Sequence, residues 1–214
     1  MKKILILILV VLLVITIFIL NINQKKLIFK IGDSISLSIN SNNLKSFDNY
    51  YKDIYKNNYK DYIIYGKDKY KIGELERDIN RNIKVNDFTI QNLLIKSDIL
   101  IIEIGQDEMI FSINTIDIYS YLDTMVKSIT NLVNEIRKYN KEKIIFVGYF
   151  NSINKDYQKY FDYINIRIEN ICKKYNIIYI NPIILNNNKY FSIINNKLND
   201  LGYKKLNELI ISNI

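Results

Sequence analysis

Histidine is absent from the 214 residues of this chain. Mechanisms that need an imidazole base or ligand are therefore excluded in their ordinary form. Cysteine occurs once, at Cys172, so no internal disulfide and no Cys/His zinc cluster can form. Tryptophan is missing, proline occurs once and glycine six times, while Ile, Asn, Lys and Tyr dominate, a usage like that of an AT-rich genome. No block of one charge sign is present either. The net charge is +8, but lysines alternate with acids, as in Lys67-Asp68-Lys69 and Glu142-Lys143. That scatter reads as composition rather than a basic patch, and nucleic-acid binding is not expected.

Hydrophobic residues at 49% and charged residues at 24% exclude wholesale disorder, and the length suits one globular domain. The longest apolar run stands at the start. After Lys2-Lys3, Ile4 to Leu20 contains no polar side chain except Thr16. As a helix it would be roughly 26 Å long, enough to cross a hydrocarbon core when its flanks snorkel. A cleaved signal peptide has a shorter apolar region and ends at small residues, whereas Phe18 to Asn23 offers none. The expectation is an uncleaved signal anchor: residues 1–26 form a transmembrane helix and short linker, and residues 27–214 form the domain. Export logic places that domain outside the cell membrane, and cleavage would make the protein secreted. The membrane is thus the first expected partner.

Past the anchor, short apolar runs alternate with helix-period segments. Leu27–Ile31, Tyr62–Tyr65, Ile99–Ile104, Ile144–Val147 and Ile177–Ile180 read as strands, near-continuously apolar as in a parallel sheet buried on both faces. Apolar residues spaced three and four apart mark helices around Ile72–Ile79, Tyr119–Ile136, Phe161–Ile171 and Leu206–Ile210. Asn40–Lys60 reads as helix with loop. The pattern predicts an α/β fold, a three-layer α/β/α sandwich with a five-stranded parallel sheet. Ligands of such folds sit beyond the carboxyl ends of the strands, which directs attention to Gly32-Asp33-Ser34, Gly105-Gln106-Asp107 and Gly148-Tyr149-Phe150-Asn151.

Three of those places carry a resemblance. Gly32-Asp33-Ser34 after the first strand, Gly105-Gln106-Asp107-Glu108 after the third, and Lys197-Leu198-Asn199-Asp200-Leu201-Gly202-Tyr203 before the last helix are similar to the sequence blocks of the SGNH (GDSL-type) hydrolases, a superfamily of serine esterases and lipases. The resemblance runs from Leu27 to Ile214 and implies acyl transfer to water. By position, Ser34 is the nucleophile, and Lys197 stands where the family has histidine. Ile194 stands where it has the orienting aspartate. The implied oxyanion holders are Ser34, Gly105 and Asp107, with Asp107 at the asparagine position; Gly66 and Gly73 are candidates for the glycine donor of the second block. A carboxylate at Asp107 supplies oxygen where an N–H donor is required, and lysine carries its proton at neutral pH. The implied ligand is an acyl or acetyl ester of an envelope lipid or glycan, with no cofactor and no metal. Two readings compete: an esterase of reduced or rewired activity, and a non-catalytic pseudo-hydrolase that binds or scaffolds. A flavodoxin-like phosphate loop fits less well, since Ser34-Ile35-Ser36-Leu37-Ser38 offers hydroxyls but no glycine.

Overall fold

The computed structural model describes residues 10–12, 26–37, 59–151, 155–192 and 197–214. The apolar run Ile4–Leu20 lies outside these except for Val10–Leu12, which are helical and about half exposed. Among the described residues no helix is long and apolar enough to cross a membrane. Most of Asn40–Lys60 also lies outside them.

In chain order the strands are β1 (Lys26–Gly32), β2 (Tyr59–Gly66), a short antiparallel pair β3 (Lys84–Val85) and β4 (Phe88–Thr89), then β5 (Ile99–Glu103), β6 (Lys143–Val147) and β7 (Ile178–Ile180). Five of them form a wholly parallel sheet in the order β2-β1-β5-β6-β7. The helices are α1 (Ile72–Asn80), α2 (Ile90–Lys96), α3 (Gln106–Ser112), α4 (Ile118–Tyr139), α5 (Gln158–Lys174) and α6 (Asp200–Ile211).

Alternation along the strands divides the core in two. Phe29, Ile31, Leu100, Ile102, Ile144 and Phe146 face α1, α2, α4 and α5. Ile28, Ile99, Ile101, Ile145 and Val147 face Leu206 and Ile210 of α6. The apolar stripe of α4 that reads from Tyr119 to Ile136 buries Leu122, Ile129, Val133 and Ile136 completely. This is the expected sandwich, with helices α2 and α3 in addition.

One pair breaks the apolar rule. Lys30 of β1 and Glu103 at the end of β5 point to the α6 side and form an ion pair of 2.7 Å, each side chain only 1% exposed. Because β1 and β5 are parallel neighbours with Gly32 opposite Glu103, the lysine reaches two residues along its strand to meet the carboxylate. Tyr203 of α6 packs into this region; burial, then the Glu103 charge, holds its phenol well above its ordinary range.

The candidate active site

The first block forms a tight turn beyond β1. Asp33 is wholly buried and acts as its acceptor: Oδ1 takes the Ile35 N–H at 3.0 Å, and Oδ2 takes those of Gly105 and Gln106 at 2.9 Å each. The Glu103 carbonyl closes the other side by accepting the Asp33 N–H at 2.9 Å and the Ser36 hydroxyl at 3.3 Å. The turn therefore fastens β1 to the β5–α3 connection, and Ser34 sits inside it. The Ser34 side chain is fully buried, and its Oγ has no hydrogen-bond partner among the described residues.

Gly105 holds this junction by conformation. Its φ of +97° lies in the left-handed region, and a Cβ there would meet the Tyr149 hydroxyl at 2.2 Å. The resemblance places Gly105 among the oxyanion donors; in the structure its N–H donates to Asp33 Oδ2. Gln106 is equally engaged. Its Nε2 donates to the Phe150 carbonyl at 2.8 Å, and its Oε1 accepts the Phe150 N–H at 3.2 Å. Asp107, at the asparagine position, keeps a buried Oδ2 without a hydrogen-bond partner among the described residues. Of the two glycines considered for the second block, Gly66 ends β2 directly opposite Gly32. Gly73 lies in the first turn of α1 with open space about it. That turn is tied to α3, because Glu108 Oε2 accepts the Ile72 N–H at 2.7 Å.

Burial and the nearby Asp107 charge raise the Asp33 carboxyl to about 7, against the N–H donors of Ile35 and Asp107 that hold it down. In the unfolded chain this group titrates near 4. Between pH 4 and 7 the native state thus binds more protons than the unfolded state, so its contribution to stability falls as pH rises through that window. The loss is on the order of 4 kcal/mol, at 1.36 kcal/mol per unit. Urea unfolding of the parent and of Asp33→Asn from pH 5 to 8 tests this. The parent should lose stability relative to the variant as pH rises; a constant difference, or one of opposite slope, would refute it.

The closing block is locally fixed. Asn199 caps α6 by accepting the Gly202 N–H at 3.0 Å, and its amide donates to Lys189 and Phe191 carbonyls. A Cβ on Gly202 would strike the Tyr190 carbonyl at 2.3 Å, so glycine permits the loop to lie on the helix. Leu198 bridges Phe191, and the Lys197 carbonyl accepts the Ser192 N–H. From this braced position the Lys197 ammonium reaches Asp68 Oδ1 at 3.3 Å, on the β2–α1 connection. Asp68 was invisible as a site residue, being one acid between two lysines in the sequence. The base of its connection is held by Asp78, which accepts from Tyr65 at 2.8 Å, from Lys67 at 2.6 Å and from Tyr70. Those donors, with the Lys67 charge, keep Asp78 below the usual carboxylate range. Ile194 lies outside the described residues.

Beside Asp107 a cavity of about 460 Å³ opens, lined by Lys69, Lys71, Glu108, Ile110, Phe111 and Tyr121 among others. Apolar side chains with a few charges at the rim are the usual make-up of a small-molecule site. Among the described residues no group of three or more acidic, cysteine or histidine side chains is placed to hold a metal ion.

The architecture has well-matched relatives among solved structures. A lipase from a goat rumen metagenome superposes with a TM-score of 0.75 at 15% identity, covering 88% of this chain and 97% of the lipase. An acetylxylan esterase from Geobacillus stearothermophilus, in a catalytic-mutant form, gives 0.67 at 13% identity, covering 87% and 93%. TesA gives 0.65 at 11%, covering 87% and 97%. The first two are ester-cleaving enzymes by name. The fold is the SGNH hydrolase fold. No family model and no curated protein matches the sequence. At these identities the likeness establishes the SGNH architecture, and the chemistry must be argued from the site itself.

Proposed function

We propose that the chain is a membrane-anchored protein of the SGNH hydrolase type whose site is degenerate, with weak or no esterase turnover at neutral pH. The anchor reading comes from the apolar run Ile4–Leu20, with the domain on the outer side. The ligand class is an acyl or acetyl ester carried by an envelope lipid or glycan, in keeping with the SGNH esterases and the cavity beside Asp107. The observation that carries the reading is the ion pair of Lys197 with Asp68. Lys197 is engaged by Asp68, and the Ser34 Oγ has no hydrogen-bond partner among the described residues, so nothing at the histidine position is placed to take its proton.

A second reading, a non-catalytic binding or scaffolding module, is favoured by the buried Ser34 hydroxyl, which has no hydrogen-bond partner among the described residues. Treatment of the full-length protein with a fluorophosphonate, alongside short-ester hydrolysis near pH 7.5, separates the readings. We expect no Ser34-dependent labelling and hydrolysis at background. Slow labelling removed by Ser34→Ala would favour residual turnover over pure binding. A robust rate abolished by both Ser34→Ala and Lys197→Met would overturn the degenerate-site reading.

A further inference from the structure

We propose that the end of the domain opposite Ser34, the edge where all five parallel strands begin, is a docking face for an anionic bilayer, so that the candidate site points away from the membrane holding the chain. This rests on the anchor reading above and adds to it an orientation, a lipid partner and a restriction on substrate.

The first support is topology. In a parallel sheet every helix-to-strand connection returns to the same edge, and the first blocks of the site lie at the other. Lys26 opens β1, Lys96 ends α2 just before β5, Lys141 and Lys143 carry the chain from α4 into β6, and Lys173 and Lys174 end α5 before β7. All six are exposed. They belong to one continuous edge, as its hydrogen bonds show. The Leu27 N–H donates to Asp98 at 2.7 Å, Lys143 donates to the Ile214 carbonyl at 2.9 Å, and Arg137 of α4 donates to the Tyr175 and Asn176 carbonyls after α5. Against these six cations, the described residues of the same turns and connections carry the acids Asp98, Glu142 and Glu169, the last paired with Lys173 at 2.7 Å. The site end is mixed in sign, with Asp68, Asp107, Glu108, Asp117 and Asp156 beside Lys67, Lys69, Lys71, Lys155, Lys159, Lys189 and Lys197. A chain whose charge looks scattered in sequence therefore gathers these six cations along one edge. A basic face of this kind is complementary to an anionic lipid surface.

The second support is reach. Five residues, Asn21 to Lys25, separate the apolar run from β1. Fully extended, they span about 20 Å between Leu20 and Lys26. β1 itself rises about 20 Å before the turn that carries Ser34. To lay the site on the bilayer the linker would have to run back taut along the whole sheet. With the basic edge against the lipid, no such path is needed.

The consequence concerns the ligand. A site held a sheet's length above the bilayer does not meet ester bonds of lipids in that same membrane. Of the two ester sources named above, the orientation selects the glycan.

The test uses the full-length chain in vesicles, with headgroup-labelled acceptor lipid and a donor dye on an added cysteine. Native Cys172 is fully buried. Glu142→Cys places the dye on the basic edge and Asn188→Cys places it in the connection after β7, at the site end. In phosphatidylglycerol-containing vesicles transfer should be higher from the Glu142→Cys protein. The contrast should shrink in phosphatidylcholine alone and when Lys96, Lys141, Lys173 and Lys174 are changed to Glu, since each basic charge strengthens docking about fivefold. Equal transfer from the two positions, with the chain membrane-bound, overturns the docking face and leaves the anchor standing. A contrast indifferent to lipid charge and to the four reversals also overturns it. A chain recovered free of vesicles overturns the anchor reading, and the docking face with it.

Discussion

Lys30→Met should cost the fold about 3–5 kcal/mol, whereas the double change Lys30→Met with Glu103→Leu should be near neutral or stabilising. Both side chains are almost fully buried and meet at 2.7 Å between the adjacent inner strands β1 and β5. Taking either charge out of water is expensive, and their mutual attraction only offsets that cost. Removal of the ammonium alone strands the Glu103 carboxylate beside Tyr203 and under the Ser34 turn, whose Asp33 N–H and Ser36 hydroxyl are held by the Glu103 carbonyl. Removal of both charges leaves two apolar side chains of similar volume in an apolar layer with Ile28, Ile99 and Ile101. Chemical denaturation of the parent, both single variants and the double variant gives the coupling energy directly. A double variant as unstable as the sum of the singles would show no coupling between the two charges and would refute this account of the pair.

That pair also marks where sequence reading stops. A lysine in Leu27-Ile28-Phe29-Lys30-Ile31 and a glutamate in Ile99-Leu100-Ile101-Ile102-Glu103 are visible as lone charges in apolar strands. Their partnership depends on β1 lying next to β5 in a particular register, and strand order is not written in local periodicity. The five strands and four long helices were legible because each repeats its pattern over enough residues to fix a period. Helix α3 was not: it has seven residues, and its first turn, Gln106-Asp107-Glu108, is polar. Helix α2 buries Ile90, Leu93 and Leu94, too few to tell a helical stripe from a short strand.

At the site, the sequence blocks located the turns but not the allocation of their N–H groups. Gly105 stands where the resemblance needs it, yet its left-handed backbone delivers the N–H to Asp33. Asp68 meets Lys197 across 129 residues of chain, which no spacing rule anticipates. The even scatter of lysines likewise gave no hint of a basic edge, since helix C-termini far apart in sequence come together only when the sheet is parallel.

Restoring the implied machinery should create activity more than about 10³-fold above the parent: Lys197→His, Ile194→Asp and Asp107→Asn in one chain, assayed on short acyl esters. A positioned general base supplies about 10²–10⁴ and one oxyanion donor about 10²–10³. The backbone at 197 is already fixed by the Ser192 N–H, the Leu198 bridge and the Asn199 cap. An imidazole there would replace the ammonium that now reaches Asp68. Asp107→Asn is nearly isosteric and turns a buried oxygen, without a hydrogen-bond partner among the described residues, into a donor. It also removes the like charge that helps raise Asp33, so the turn holding Ser34 should tighten at neutral pH. The gains should be strongly non-additive, because a base without its orienter, or either without an oxyanion donor, recovers little. Lys197→His alone is the informative control, since Asp68 is the acid its imidazole would find first. If the folded triple variant shows no gain that Ser34→Ala removes, the assignment of Lys197, Ile194 and Asp107 to family positions is wrong. The chain would then share with SGNH hydrolases its architecture alone.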